Sequence, residues 1–446
     1  MAFDLRLDGL ELTNYRKFAH YSINFDENLT VLVGDNGSGK SSVLAAAATA
    51  LDSVVFNLIF SHQSRIGRSD ARVDIFDMGD VMDRQEQYPV IVSARGAVGG
   101  ADDITWSCRL NSPDGRAEDE SELSFTRIMQ DCSKRVKGGD SELVLPVVAS
   151  YGTNRLWAGN RGGRDLRQGV FSRQDGYRGA LDAHAGEDQM LAWFFKMTAQ
   201  DVQRAQGIKP MEKSELFTAV RGAVERCFQA ITGSSQVKVF YNLDTADLDV
   251  EYVDQDGEVR RMSMGLLSDG YRTTLSMVAD IAYRMALLNP ALGERVLEET
   301  PGVVLIDEVD LHLHPLWQAR ILADLRDIFP RVQFIVTTHA PVVISSVTSS
   351  HIRLLGDGDE AREPVSEIYG SDVGRVLISV MGASERLPKV QKKFDEFYRV
   401  LDGGDFARAK VLLEELKSTV GSDDTGFVGA QTALALEEAD ARYVAN

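Results

Sequence analysis

Residues 34–41 read Gly34-Asp35-Asn36-Gly37-Ser38-Gly39-Lys40-Ser41, a glycine-rich loop that ends in Lys-Ser. It follows a short apolar strand (Leu29, Val31, Leu32, Val33) and opens a helix. Glycines let consecutive backbone N–H groups turn inward around an anion, and the helix N-terminus adds its positive partial charge. Asp35, Asn36, Gly37, Ser38, Gly39, Lys40, Ser41 and Ser42 therefore form a phosphate cradle. Lys40 is placed to reach β- and γ-phosphates, and the Ser41 hydroxyl to meet Mg²⁺. A mere tight connection would not need Lys-Ser with both flanks in place. The loop predicts an α/β core that binds a nucleoside triphosphate.

Much later, Val303-Val304-Leu305-Ile306 is followed by Asp307-Glu308. Four apolar residues predict a buried parallel strand, with two carboxylates at its C-terminal end, where α/β sheets bind ligands. Asp307 is suited to hold Mg²⁺, and Glu308 to orient and deprotonate an attacking water. A second apolar strand, Val332 to Val336, runs into Thr337-Thr338-His339. Strand–Asp-Glu and strand–His thus follow the loop in the order one nucleotide site would use.

Between the loop and these strands stands Leu267-Ser268-Asp269-Gly270-Tyr271-Arg272, followed by a helical pattern through Leu275, Val278, Ala279, Ala282 and Met285. The segment resembles the Leu-Ser-Gly-Gly-Gln signature of ABC-type ATPases, with Asp269 in place of Gly and Tyr271 in place of Gln or Glu. The resemblance implies that Ser268, Asp269 and Gly270 face the γ-phosphate bound by the other protomer of a dimer. Asp310-Leu311-His312-Leu313-His314-Pro315 resembles the D-loop of the SMC-like and DNA-repair branch, and His339 matches its switch histidine. Leu10 to Phe18 resembles the opening strand of the same ATPases, which implies that Arg16 or Lys17 lies near the phosphates. The strand Leu145 to Ser150 is the expected lead-in to the Q-loop, yet no glutamine follows it; Asn154 is the candidate substitute.

The chain as a whole, from residue 5 to roughly 350, resembles stand-alone bacterial SMC-like ATPases, most closely the ATPase subunit of Septu-type anti-phage systems. That resemblance implies an ATPase that dimerises around ATP and Mg²⁺ beside a separate HNH nuclease. Two alternatives stay open: a low-turnover nucleotide sensor or scaffold, suggested by Asp269, and a DNA-repair or chromosome-type ATPase. A transporter subunit has no support beyond the shared core.

The fold expected is α/β, an ABC/SMC-type P-loop ATPase head with an antiparallel β subdomain, a helical lobe and a C-terminal helical tail. Residues 1–365 form the ATPase core, with 61–143 as the β-rich subdomain and 155–235 as an Arg-rich loop and helical lobe; residues 366–446 form the tail. No long heptad run separates the halves, so no coiled-coil arm is expected. In the tail, Phe394, Phe397, Tyr398 and Leu401 make one apolar stripe and Phe406, Ala409, Leu412, Leu413 and Leu416 another, which predicts an αα-hairpin. Its face either packs on its own core or docks the nuclease. Gly356-Asp357-Gly358-Asp359-Glu360 invites comparison with the acidic cluster of a Toprim nuclease, but too little βα sequence surrounds it, and it reads as an exposed turn.

Net charge is −19, which disfavours general binding to a polyanion. Residues 155–178 run against that balance, with Arg155, Arg161, Arg164, Arg167, Arg173 and Arg178 among glycines and aromatics. Such a loop suits phosphates and bases, or equally the protein's own acidic groups. Cys108, Cys132 and Cys227 lie far apart without a C-x-x-C, which argues for a reducing compartment and against a zinc hook. The start lacks a basic and then apolar leader, and Val43 to Phe60 is interrupted by Asp52 and Asn57, so a cytoplasmic protein without a membrane span is expected.

Overall fold

The computed structural model describes residues 3–59, 66–78, 82–153, 171–182, 188–206, 214–254, 256–383 and 386–444. The chain divides into two compact units, Met1–Val373 and Gly374–Asn446. No helix among the described residues is long and apolar enough to cross a membrane.

The first unit is built on a parallel sheet. Its strands are β3 (Leu29–Val33), β9 (Val147–Tyr151), β13 (Gly302–Ile306), β14 (Val332–Thr337) and β15 (Ile352–Leu354), in the order β15-β3-β14-β13-β9. Every residue of β3, β13 and β14 is buried, as continuous Val, Leu and Ile runs require. The strands that end in the glycine loop, in Asp307 and in Thr337 are therefore neighbours, with Ile306 opposite Val336 and Thr337 opposite Leu32. Helix α1 (Lys40–Ile59) continues from the loop and buries Val43, Ala47, Leu51, Val54 and Leu58. The apolar stretch from Val43 is thus a core helix.

A second sheet lies over α1. It consists of β1 (Leu5–Tyr15), β2 (Phe18–Asn24), β6 (Val90–Val98), β7 (Ala101–Leu110) and β8 (Glu118–Asp119), antiparallel in the order β2-β1-β6-β7-β8. Trp106 donates its indole N–H to the Ala50 carbonyl of α1 at 2.9 Å. The buried Gln333 amide of β14 bonds the Leu7 carbonyl at 2.7 Å and accepts the Leu7 N–H at 2.9 Å, so the two sheets are joined by satisfied polar groups. Strands β4 (Arg72–Asp77) and β5 (Met82–Gln87) form a separate hairpin. The stretch 61–143 is not strands and loops throughout, because α2 (Leu123–Lys137) interrupts it. Only Phe125, Met129, Cys132 and Ser133 of that helix are buried, a narrow stripe in a polar sequence.

The helical lobe comprises α3 (Asp188–Ala205) and α4 (Glu215–Thr232), followed by the antiparallel strands β10 (Ser235–Asn242), β11 (Asp247–Val253) and β12 (Val259–Ser263). Helix α5 (Asp269–Leu288) then runs back through the core, with Leu275, Val278, Ala279, Ala282 and Met285 all buried. Short helices α6 (Val296–Glu299), α7 (Pro315–Gln318), α8 (Ile321–Ile328) and α9 (Pro341–Ile344) connect the later parallel strands, and α10 (Val373–Ser379) follows them. Gly356 to Glu360 is an exposed turn, tied to β2 by the Ser22 N–H donating to the Asp359 carbonyl at 2.8 Å.

In the second unit α10 is followed by three packed helices, α11 (Pro388–Asp402), α12 (Phe406–Val420) and α13 (Thr425–Val444), rather than by a hairpin. Phe394, Phe397, Leu401, Ala409, Leu412, Leu413 and Leu416 pack with Phe427, Ala430 and Leu434 in one core. Of the two outcomes open for the stripes, they pack on their own core and the third helix covers them; only Tyr398 of the first stripe stays substantially exposed, at 40%. Arg386 closes the bundle with a bidentate bond to Asp424, at 2.8 and 3.0 Å, which holds that carboxyl below its usual range.

Candidate functional site

Gly37 and Gly39 have φ of +79° and +103°, conformations that L side chains rarely adopt. A Cβ on Gly39 would stand 2.3 Å from the Phe18 ring, and one on Gly34 2.5 Å from the Leu355 carbonyl oxygen. The loop is held between the β1–β2 turn and the end of β15, so both glycines are required by close approach. Lys40 Nζ donates to the Gly34 and Asp35 carbonyls at 2.8 and 3.0 Å, curled over the loop it belongs to. Burial pulls its pKa down, while Asp307, Asp35 and Glu308 pull it up.

Across the sheet, Ser41 Oγ donates to Asp307 Oδ2 at 2.9 Å. Thr337 Oγ1 donates to the other carboxylate oxygen of Asp307 at 2.6 Å and accepts the Glu308 N–H at 2.7 Å. Glu308 itself has φ +49°, a strained conformation for a non-glycine residue. The buried hydroxyl of Thr337 therefore holds the Asp307 carboxylate and the backbone of Glu308. Thr338 Oγ1 donates to Asp310 Oδ1 at 2.5 Å, and His339, half-buried, follows directly. Both threonines were legible as letters between strand and histidine; nothing in their spacing marked them as the hinge of the site.

The two basic candidates near the opening turn separate. Lys17 Nζ donates to the Gly37 carbonyl at 2.9 Å, at the loop, whereas Arg16 Nε donates to Asp70 Oδ1 at 2.9 Å. Arg16 is thus engaged by the segment leading into the β4–β5 hairpin.

Asn154 lies outside the described residues, as do Arg155, Arg161, Arg164 and Arg167. Of the remaining two arginines in that segment, Arg173 donates to the carbonyls of Leu288, Asp140 and Leu143, and burial pulls its pKa down. Arg178 sits 3.7 Å from Asp175. These two serve the protein's own fold, Arg173 through carbonyls and Arg178 through a carboxylate. Tyr151, at the end of β9, accepts the Asp307 N–H on its carbonyl and donates its phenol to Asp280 of α5, which also receives Arg284 Nε at 2.7 Å.

Ser268 caps α5 through its backbone but spends no side-chain hydrogen bond on the helix, and it is exposed beside Asp269. Asp269, in the first turn, lies at the positive end of the helix dipole. Gly270 is buried, and a Cβ there would stand 2.3 Å from the His312 carbonyl oxygen. His312 and His314 are loop residues: His312 has φ +61°, and His314 Nδ1 accepts the Leu316 N–H at the start of α7.

The donor set suits a triphosphate with a divalent cation. Ser38 Oγ is buried without a hydrogen-bond partner inside the glycine loop, and the Ser41 hydroxyl and Asp307 carboxylate converge as oxygens that could hold a small divalent cation.

The chain is 27% identical to the Septu protein PtuA of Bacillus thuringiensis over 90% of this chain and 89% of that protein. It is 26% identical to the Retron Vc95 probable ATPase of Vibrio cholerae serotype O1 biovar El Tor, over 85% of this chain and 80% of that one. Among solved structures, an SMC head bound to the C-terminal winged-helix domain of ScpA aligns with 80% of this chain and 98% of its own, at 16% identity and a TM-score of 0.46. The model of the RecF/RecN/SMC N-terminal domain matches residues 6–356, and the chain belongs to that family.

Proposed function

We propose that this chain is a Mg²⁺-dependent ATPase whose two protomers close around two nucleotides, and whose nucleotide state governs a partner nuclease in bacterial anti-phage defence. The observation that carries the hydrolytic part is the Ser41–Asp307–Thr337–Glu308 network, which gathers residues from three separate strand ends. The amides of the loop and Lys40 bind the phosphates. Ser41 and Asp307 would hold Mg²⁺, whose charge offsets that of the phosphates. Glu308 orients a water and takes its proton as the water oxygen bonds the γ-phosphorus; the bond from that phosphorus to the bridging oxygen breaks, and ADP leaves. His339 and Lys17 face the same phosphates.

Dimerisation follows from having both Ser268-Asp269-Gly270 and the phosphate loop on one chain. Ser268, Asp269 and Gly270 serve the nucleotide of the opposite protomer. The names of the relatives, a probable ATPase of a retron and a Septu protein, support the defence setting. An HNH-type nuclease is the partner chemistry that the Septu resemblance implies, with cleavage supplied by that partner. The dock is not the apolar stripes of α11 and α12, which are internal.

Steady-state phosphate release tests the reading. Turnover should require Mg²⁺ and Glu308, and Glu308→Gln should keep ATP bound while hydrolysis stops. A second reading, a sensor with negligible turnover, draws on Asp269, an exposed carboxylate facing the partner's γ-phosphate at a Coulomb cost. Glu308-dependent release removes it; ATP binding without release by the wild-type chain would establish it in place of the ATPase.

A further inference from the structure

Tyr271 stands where ABC-type signatures carry Gln or Glu, and its surroundings explain the exchange. Its ring meets Trp317 edge-to-face, with centroids 4.1 Å apart and planes at 72°. Phe228 of α4 stands behind it at 6.1 Å, and Tyr252 of β11 stands 5.0 Å from Phe228. The ring is half-buried, and that burial raises the phenol pKa. Trp317 belongs to α7, whose N-cap is His314, in the segment that leaves Glu308 through Asp310 and His312. One residue before Tyr271, the Gly270 backbone already touches the His312 carbonyl so closely that no Cβ fits. The signature turn is therefore joined to its own chain's D-loop by a backbone contact at His312 and to the helix that follows it by an aromatic one at Trp317.

We infer that the Tyr271–Trp317 pair is a positioning element that sets the angle of Ser268 against the D-loop, in place of the hydrogen bonding that a glutamine would provide. The inference rests on the two-protomer ATPase proposed above. Ser268 leaves its hydroxyl off its own helix, so its direction is set by what holds the first turn of α5. Glycine at position 270 fixes distance but leaves rotation free; a T-shaped ring pair has a directional minimum and removes that freedom. Because Trp317 follows Glu308 by a short, internally bonded loop, the same pair ties the signature turn offered to the partner's nucleotide to the carboxylate acting on this chain's own.

The experiment compares Tyr271→Phe, Tyr271→Gln, Trp317→Ala and the Tyr271→Gln/Trp317→Ala double variant in the full chain. Equilibrium binding of a fluorescent ATP analogue to the phosphate loop serves as the control for folding. Tyr271→Phe keeps the ring edge and should hold kcat within about twofold of wild type. Tyr271→Gln and Trp317→Ala should each lower kcat about five- to tenfold, with analogue affinity and thermal midpoint unchanged, and the double variant should be no worse than either single. Unchanged kcat in Tyr271→Gln, multiplicative losses in the double variant, or a Tyr271→Phe as impaired as Tyr271→Gln would each overturn the inference. Failure of the underlying reading looks different: wild-type chain and Glu308→Gln would both stay monomeric with saturating ATP. A dimeric Glu308→Gln with wild-type kcat in Tyr271→Gln overturns the positioning role alone.

Discussion

Replacing Thr337 with valine removes the hydroxyl that bonds the Asp307 carboxylate and the Glu308 backbone. The exchange is close to isosteric, and Thr337 is 0% exposed, so neither a cavity nor a new surface confuses the result. What is lost is a 2.6 Å charge-assisted bond to Asp307 and the acceptor of the Glu308 N–H at 2.7 Å. A bond to a charged group contributes about 1.5–3 kcal/mol, and an amide left without an acceptor costs about 1–3 kcal/mol. Asp307 keeps the Ser41 hydroxyl and both carboxylate residues are partly exposed, so water recovers a share. The expected destabilisation is about 2–4 kcal/mol, read as a fall in urea midpoint at constant slope. Activity should fall further than stability explains, because the N–H bond also holds Glu308 in its left-handed turn. A drop in kcat of about ten- to a hundredfold corresponds to about 1.4–2.7 kcal/mol of barrier. Thr337→Ser keeps the hydroxyl, loses one methyl group, and should stay within about 1 kcal/mol and severalfold of wild-type kcat. Wild-type midpoint and kcat in Thr337→Val, or a serine variant as impaired as the valine one, would refute the reasoning.

Three further outcomes follow from particular contacts. Gly39→Ala places a methyl group against Phe18 in a backbone conformation with φ +103°, and should abolish binding of a fluorescent ATP analogue in a chain whose circular dichroism is unchanged. Phe397→Ala empties the centre of the α11–α13 core and should cost about 3–5 kcal/mol, detected as protease cleavage confined to residues after 373. Burial pushes the thiols of Cys132 and Cys227 up to about 11 and about 12 and the Tyr15 phenol up to about 12. Their folded pKa values lie above the unfolded ones, so the stability they contribute is intact below about pH 8.5 and is lost as pH rises through 11–12. Urea midpoints measured from pH 8 upward should fall across that window, and a flat profile would contradict the burial argument.

The site was legible where chemistry forces residue type. Gly37, Gly39, Lys40 and Ser41 can do little else in a strand–loop–helix setting, and Asp307-Glu308 follows an apolar run that could only be a buried strand. Thr337 was not, because a threonine ending a strand is ordinary until the neighbouring strand puts Asp307 beside it. Arg16 and Lys17 are adjacent letters with equivalent charge; only the fold hands one to Asp70 and the other to the loop. Helix α2 hid behind a mostly polar sequence with one narrow buried stripe. Helix α13 carries Gly426 and Gly429, poor helix formers, and its buried face has only Phe427 and Leu434 as large residues around Ala430. Without that helix, the two stripes alone leave open whether they pack internally or dock a partner.

If nucleotide completes a site shared by two chains, Glu308→Gln should trap that assembly. Light scattering of that variant should show a monomer without nucleotide and a stable dimer at saturating Mg²⁺-ATP, with Lys40→Ala introduced alongside returning it to the monomer. A Glu308→Gln chain that binds ATP and remains monomeric would contradict the account.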